Sequence, residues 1–186
     1  MRIQIMALLT LLIGVGNVSA DEKTPASEPT SDRYETRPDH DPNGIGKFYL
    51  GREIAHVMGF AGADWLERTS REEEERLTLL IRSLHLQPGQ VVADIGAGSG
   101  VISMKMAELL LPNGNVMAVD VQEEMLARLQ ENCKAMGVNN VEPVKGTERS
   151  TNLKPESIDL AIMVDVYHEF EFPYEMLKDI SAAMKP

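Results

Sequence analysis

Cysteine is almost missing from this chain, with Cys133 the only one in 186 residues. One thiol closes no internal disulfide and, alone, makes no metal site. The four histidines (His40, His56, His85 and His168) are scattered, and no pair has HExxH or a comparable ligand spacing. A metalloenzyme has little to stand on. Basic residues are scarce too, 18 Lys+Arg against 29 Asp+Glu, so no nucleic-acid partner is expected on charge. Trp65 is the single tryptophan, and the longest apolar run is too short for a membrane span.

That run lies at the N-terminus and reads as a secretory signal over residues 1–20. Arg2 gives the positive end, Ile3 to Val15 the apolar core, and Val18-Ser19-Ala20 the small residues before a cut after Ala20. An uncleaved anchor is the alternative. The residue directly after the cut is Asp21 and not a cysteine, so a lipoprotein anchor has no support. Cleavage leaves 17 basic against 29 acidic residues, and the expected product is exported, periplasmic or extracellular, without a stable membrane span.

Residues 21–43 are rich in Pro, Ser, Thr and charge, which predicts a flexible linker. Residues 44–86 read as a helical lead-in. Leu50, Ile54, Val57 and Met58 have helical spacing. Ser70, with Glu73 three residues on, predicts a capping box for a helix over roughly 71–84 that buries Leu77, Leu80, Ile81 and Leu84. The glutamates after Arg71 then read as the solvated first turn of that helix.

From residue 87 short apolar strands alternate with helical patterns. Val91–Ile95, Val116–Asp120, Asn140–Lys145 and Ile158–Asp165 read as strands, with helices over 101–111, 122–136 and 174–184. The order β-α-β-α-β-β-α implies an α/β, three-layer sandwich with a mainly parallel sheet. Such sheets bind ligands at the carboxyl ends of their strands. Gly96–Gly100, Asp120, Thr147–Glu148 and Asp165–Glu169 all fall there.

The centre of the pattern is Val91-Val92-Ala93-Asp94-Ile95-Gly96-Ala97-Gly98-Ser99-Gly100. Glycines at alternate positions permit positive φ and bring a ligand close to the backbone. The helix that follows offers free N–H groups to the same space. Asp120, roughly twenty residues on, is placed to hold ribose hydroxyls. A dinucleotide fingerprint would need a third glycine where Val101 stands. Asp94 would also repel a pyrophosphate, whereas it suits a ligand with an ammonium group.

Asp94-Ile95-Gly96-Ala97-Gly98-Ser99-Gly100 resembles motif I of the class I S-adenosylmethionine-dependent methyltransferases, and Val116-Met117-Ala118-Val119-Asp120 resembles the next motif. The resemblance runs from about Gln87 to Pro186, with Ile158-Asp159-Leu160 as the family's fourth-strand segment. It implies a Rossmann-like fold and S-adenosyl-L-methionine as cofactor. Asp94, Gly96, Ala97, Gly98 and Gly100 would face the methionine portion, Asp120 the ribose and Val121 the adenine. Thr147 or Glu148 stands where the family contacts the adenine amino group, without its usual Asp. Asp165 stands where the family faces both cofactor and substrate.

Tyr49 precedes the core as the family's cofactor-covering element often does, and is expected to lid the methionine end or else to pack. Arg52 holds a carboxylate there, or pairs with Glu53 or Glu67. Trp65 lines the acceptor pocket or enters the core. Methyl transfer mainly asks a protein to align donor and acceptor and sometimes to remove a proton. His168 is the expected base, with Asp165 beside it and Tyr167 orienting an acceptor oxygen; the alternative is that His168 and Glu169 only begin a helix.

The family sheet has seven strands, and about four are present before Pro186. This predicts an incomplete core over 87–186, lacking the C-terminal strands, with Ile158–Asp165 at an open edge. The expected function is methyl transfer to a small-molecule acceptor. The alternatives are a non-catalytic cofactor-binding or sensing module, and an NAD-linked oxidoreductase that Val101 and Asp94 disfavour.

Overall fold

Valine, isoleucine and alanine crowd the four core strands because both faces of their sheet are covered. The computed structural model describes residues 33–186; the signal segment and the linker up to residue 32 lie outside the described residues. The strands are β4 (Val91–Ile95), β5 (Asn115–Asp120), β6 (Val141–Lys145) and β7 (Leu160–Met163). They lie in the order β6-β5-β4-β7, and every pair is parallel. Chain order runs outward from β4 to β6 and then returns to β7 on the other side of β4. The reversal leaves a crevice beyond the carboxyl ends of β4 and β7.

The two faces are covered by different helices. Val92, Val116 and Ile162 pack with Leu77, Ile81, Ile102, Met106 and Leu110, which come from α3 (Leu77–Ser83) and from α4 (Val101–Leu109) and its end. On this face Ala118 also meets Leu129 and Cys133 of α5 (Glu123–Met136). On the other face Ala93, Ile95 and Val119 pack with Met176, Ile180 and Ala183 of α6 (Pro173–Ala183). The three-layer, Rossmann-like arrangement is as expected. Among the described residues no helix is long and apolar enough to cross a membrane.

The N-terminal part differs from its reading as a linker followed by helices. A three-stranded antiparallel sheet forms from β1 (Tyr34–Thr36), β2 (Gly44–Tyr49) and β3 (Arg52–Ala55). Leu50 and Gly51 both have positive φ, 50° and 78°, and make a two-residue hairpin turn between Tyr49 and Arg52. The apparent helical face breaks up in space. Ile54 is fully buried, worth ~2–3 kcal/mol, while Leu50 sits exposed at the turn and Val57 is half exposed. Tyr34 belongs to a stretch whose polarity predicted no structure, yet its ring meets Tyr49 and Phe172, each at 5.6 Å between centroids. Its hydroxyl also donates to Glu175 of α6.

Two short helices, α1 (Ala63–Leu66) and α2 (Arg71–Glu75), follow. The single helix expected over 71–84 is broken at Arg76, which is left-handed at φ 53° and separates α2 from α3. No side-chain cap forms at Ser70. Glu72 instead accepts the Thr78 N–H in the first turn of α3, at 3.1 and 3.2 Å. The glutamate run therefore caps α3 and pairs with Arg71 of its own helix and with Arg68 in the turn before it, and is more than a solvated face.

At the other end of the core, β7 is shorter than expected. Ile158 forms a parallel bridge with Met184, and Lys185 N donates to Ile158 O at 2.9 Å. The start of the segment expected at an open edge is thus paired.

Candidate cofactor site

The chain leaves β4 through a loop in which Gly96, Gly98 and Gly100 all have positive φ (74°, 54° and 84°). A β-carbon on Gly96 would stand 2.3 Å from Val166 Cγ2 of the loop after β7. The missing side chain is what lets the two post-strand loops meet. Gly96 and Ala97 donate their N–H groups to Val119 O at 2.8 and 2.9 Å, which ties the loop to β5.

Asp120 closes β5 and is buried. One carboxylate oxygen accepts the Gly98 N–H and the other the Gln122 N–H, both at 2.8 Å. Burial pushes its pKa up, against those backbone donors. Asp94, 2% exposed, accepts the Ser103 hydroxyl at 2.6 Å. Burial moves its pKa up to about 6, opposed by that hydrogen bond and by Arg71, and reinforced by Asp120.

A ring of polar contacts holds the loop from outside. Glu67 accepts two hydrogen bonds from Arg128 at 3.0 and 2.6 Å and one from Asn132 at 2.8 Å, and Asn132 also donates to Ser99 O. The Arg128 guanidinium holds the Glu67 carboxyl down to about 2. Arg52, expected to hold a carboxylate or to pair with Glu53 or Glu67, donates to two backbone carbonyls, Glu53 O and His168 O, both at 3.4 Å.

These residues border a cavity of about 830 Å³, within the range of small-molecule sites. Asp94, Gly96, Ala97, Gly98, Asp120, Val121, Thr147, Glu148, Asp165 and His168 all line it, so most of the anticipated set is brought together. Gly100 caps α4 behind the loop, where a β-carbon would stand 2.7 Å from Leu129 Cγ. Asp165 has positive φ (53°), an uncommon conformation that follows β7 directly. His168 lies in a one-turn 3-10 segment, Tyr167–Glu169, with Nε2 3.7 Å from Glu169 Oε1. Burial lowers its pKa and raises that of Glu169.

Two expected residues fall elsewhere. Tyr49 is outside the cavity lining and stacks on Tyr34 in the N-terminal sheet. Tyr167 is outside it too, edge-on to Phe170 at 5.8 Å with the Arg52 guanidinium 5.1 Å from its ring. In so short a turn adjacent side chains diverge, and His168 takes the cavity side. Trp65 does line the cavity, half exposed, with the Arg68 guanidinium 3.8 Å from its ring. Sequence reasoning missed Arg71, Met58 and Gln122 as lining residues. For Arg71 the available signal was a lone cation heading a run of four acids.

Comparison with known proteins agrees with this geometry. The profile described as "Methyltransferase domain" matches residues 92–186. A solved SAM-dependent methyltransferase from Aquifex aeolicus superposes with a TM-score of 0.67 at 28% identity, covering 70% of this chain and 69% of that one. The protein-L-isoaspartate O-methyltransferase of Aeropyrum pernix is 33% identical over 107 residues, 58% of this chain and 35% of that protein. The tRNA (guanine(37)-N(1))-methyltransferase of Pyrococcus abyssi is 31% identical over 140 residues, 66% of this chain and 39% of that protein. This chain thus spans little more than a third of either curated relative. It belongs to the methyltransferase-domain family, in the class I, S-adenosylmethionine-dependent group.

The residues present fit that cofactor. The glycine-rich loop admits a ligand against the backbone, Asp94 offers a carboxylate for an ammonium group, and Asp120 one for ribose hydroxyls.

Proposed function

We propose that this chain transfers a methyl group from S-adenosylmethionine to a small, uncharged or cationic acceptor. The carrying observation is that the glycine loop, Asp120 and the Asp165–Glu169 turn border one cavity. When bound, S-adenosylmethionine supplies an electrophilic methyl group on a sulfonium, with a neutral thioether as leaving group. The protein's part is to align and to exclude water. Val57, Met58, Trp65, Phe170 and Met176 give the cavity apolar walls, and Asp165, His168 and Glu169 stand at the end of β7. His168, kept neutral by burial, is able to take a proton from the acceptor.

The acceptor class follows from charge. Asp94, Asp120, Glu148, Asp165, Glu169 and Glu171 line the cavity, with Arg71 the one arginine or lysine among the lining residues. Such a field repels phosphates and ionised carboxylates. It favours an amine or a neutral hydroxyl or thiol over the acceptors named for the two curated relatives.

Titration calorimetry with S-adenosylhomocysteine tests the cofactor reading. Asp120→Ala is expected to weaken binding about 30-fold, as a lost hydrogen-bonding carboxylate does. No heat from the unaltered protein, or tighter binding of NAD, would overturn it. Binding without methyl transfer to any amine, alcohol or thiol in a labelled-methyl screen would favour a sensing module.

We also propose that the protein works outside the cytoplasm, supported by Arg2, the Ile3–Val15 run and Val18-Ser19-Ala20. Mass spectrometry of the mature chain is expected to find Asp21 at the N-terminus. An unprocessed cytoplasmic chain would refute this.

A further inference from the structure

Beyond β7 the cavity wall runs through His168, Glu169, Phe170 and Glu171. The turn that carries His168 is a single one, closed by the Glu169 N–H to Val166 O at 2.9 Å and the Phe170 N–H to Tyr167 O at 3.3 Å, with no side-chain cap. So short a turn holds a reacting group in place only if something outside supports it. The N-terminal sheet gives that support, one contact from each strand. Tyr34 of β1 donates its hydroxyl to Glu175, Lys47 of β2 pairs with Glu171 at 3.3 Å, and Arg52 of β3 donates to His168 O at 3.4 Å. The order β1-β2-β3 thus runs against the order of residues 168–175, as it does when a sheet is laid across a segment. All three strands lie outside the 92–186 match to the family.

Arg52 is the contact nearest the chemistry. Its guanidinium lies 5.1 Å from the centre of the Tyr167 ring, within cation–π range, so one side chain grips both the His168 carbonyl and the residue before it. His168 lines the cavity and Arg52 does not, which puts the grip on the outer side of the turn. The charge is kept there at a cost. Nη2 of Arg52 is buried with no hydrogen-bond partner among the described residues, and a methionine of similar length would pack without that penalty. Electrostatics gives the charge a use. Asp165 favours the imidazolium form of His168, as does Glu169 when ionised, with Oε1 3.7 Å from Nε2. Arg52 is the cation that opposes them.

We propose that Arg52 is a positioning residue: set between the N-terminal sheet and the 167–169 turn, it holds that turn so that the His168 imidazole faces the cavity. The assignment rests on His168 being the base in the function proposed above. It gives the N-terminal sheet a part in the reaction without any contact to cofactor or acceptor.

NMR of the imidazole nitrogens tests it without turnover, the His168 signal being the one lost in His168→Gln. In Arg52→Met the His168 titration midpoint is expected to rise by roughly 0.5 pH unit, because a neighbouring cation has gone. The Glu169 amide is expected to exchange with solvent about 10-fold faster, because the turn has lost its outer hold. Arg52→Lys, which keeps the charge and loses the fork, is expected to restore the midpoint and leave the exchange fast, and its exchange rate stands in if the methionine variant does not fold. Both variants are expected to bind S-adenosylhomocysteine as the parent does, which reports an intact fold. An unchanged midpoint in the methionine variant, or an unchanged exchange rate in either, would overturn the assignment alone. Methyl transfer by His168→Gln at the parent's rate would overturn the base reading, and this assignment with it.

Discussion

Gly96→Ala is expected to destabilise the protein by ~3 kcal/mol and to weaken S-adenosylhomocysteine binding in parallel. Two costs combine. A residue with a β-carbon at φ 74° pays ~1 kcal/mol for the left-handed conformation. The new methyl would also stand 2.3 Å from Val166 Cγ2 and 2.8 Å from its Cβ, an overlap of the kind that costs ~1–3 kcal/mol. Val166 has little freedom to yield, since it lies between left-handed Asp165 and the Tyr167–Glu169 turn. Any shift it makes displaces His168 and Glu169, which line the cavity. Urea unfolding measures the first effect and calorimetry the second. In a Val166→Ala background the contact at 2.3 Å is removed while that with the β-carbon at 2.8 Å stays, so the glycine substitution should cost less there, about 2 kcal/mol. Were Gly96→Ala to unfold within 0.5 kcal/mol of the unaltered protein, the close approach of the two loops would be refuted.

The part of the chain that was legible is the part where one physical cause dominates. Val91–Ile95 is buried on both faces, and nothing but a strand fits five residues between a turn and a glycine loop. Alternate glycines there announce positive φ, and all three have it. The N-terminal part was misread because helical spacing arose by chance from residues with different fates. Ile54 is core, Leu50 a hairpin tip and Val57 half exposed. The better signal was Leu50-Gly51, where glycine permits the sharp reversal that joins β2 to β3.

Long-range contacts explain the remaining misses. Nothing local to Tyr34 says that it will find Phe172 and Glu175, more than a hundred residues away. Tyr49 was assigned to the site from the resemblance and Tyr167 from its place after the last strand; Tyr49 packs on Tyr34 within the N-terminal sheet, and Tyr167 packs on Phe170 with Arg52 of that sheet over its ring. Arg71 is the converse case. It looked like the start of a solvated helix, and hydrogen bonds to Glu75 and to Leu66 O hold it buried at the cavity.

Asp94→Asn is expected to make the protein more stable at pH 7 while weakening its hold on the cofactor. Asp94 is 2% exposed and titrates at about 6, where an unfolded chain would titrate near 3.8. Between those values the folded protein keeps a proton that the unfolded chain has lost. Stability therefore falls as pH rises from about 4 to 6, and by pH 7 roughly 3 kcal/mol is gone through this group. Asparagine carries no charge to desolvate, and its oxygen still accepts the Ser103 hydroxyl. The variant should gain ~1–2 kcal/mol at pH 7, less than the full amount because its amide brings a new donor to satisfy. Its urea midpoint should lose the fall between pH 4 and 6. The same reasoning makes ligand binding proton-linked. An ammonium group beside Asp94 favours the carboxylate, so S-adenosylhomocysteine should displace a proton near pH 6, visible as a binding heat that varies with the buffer's ionisation enthalpy. A variant less stable than the parent at pH 7 with an unaltered pH profile would show that Asp94 is not charged at a cost. Binding heats independent of buffer near pH 6 would show that the ammonium lies elsewhere. If both expectations hold, the acid ahead of the glycines is kept for the ligand, since the folded chain alone is better off without its charge.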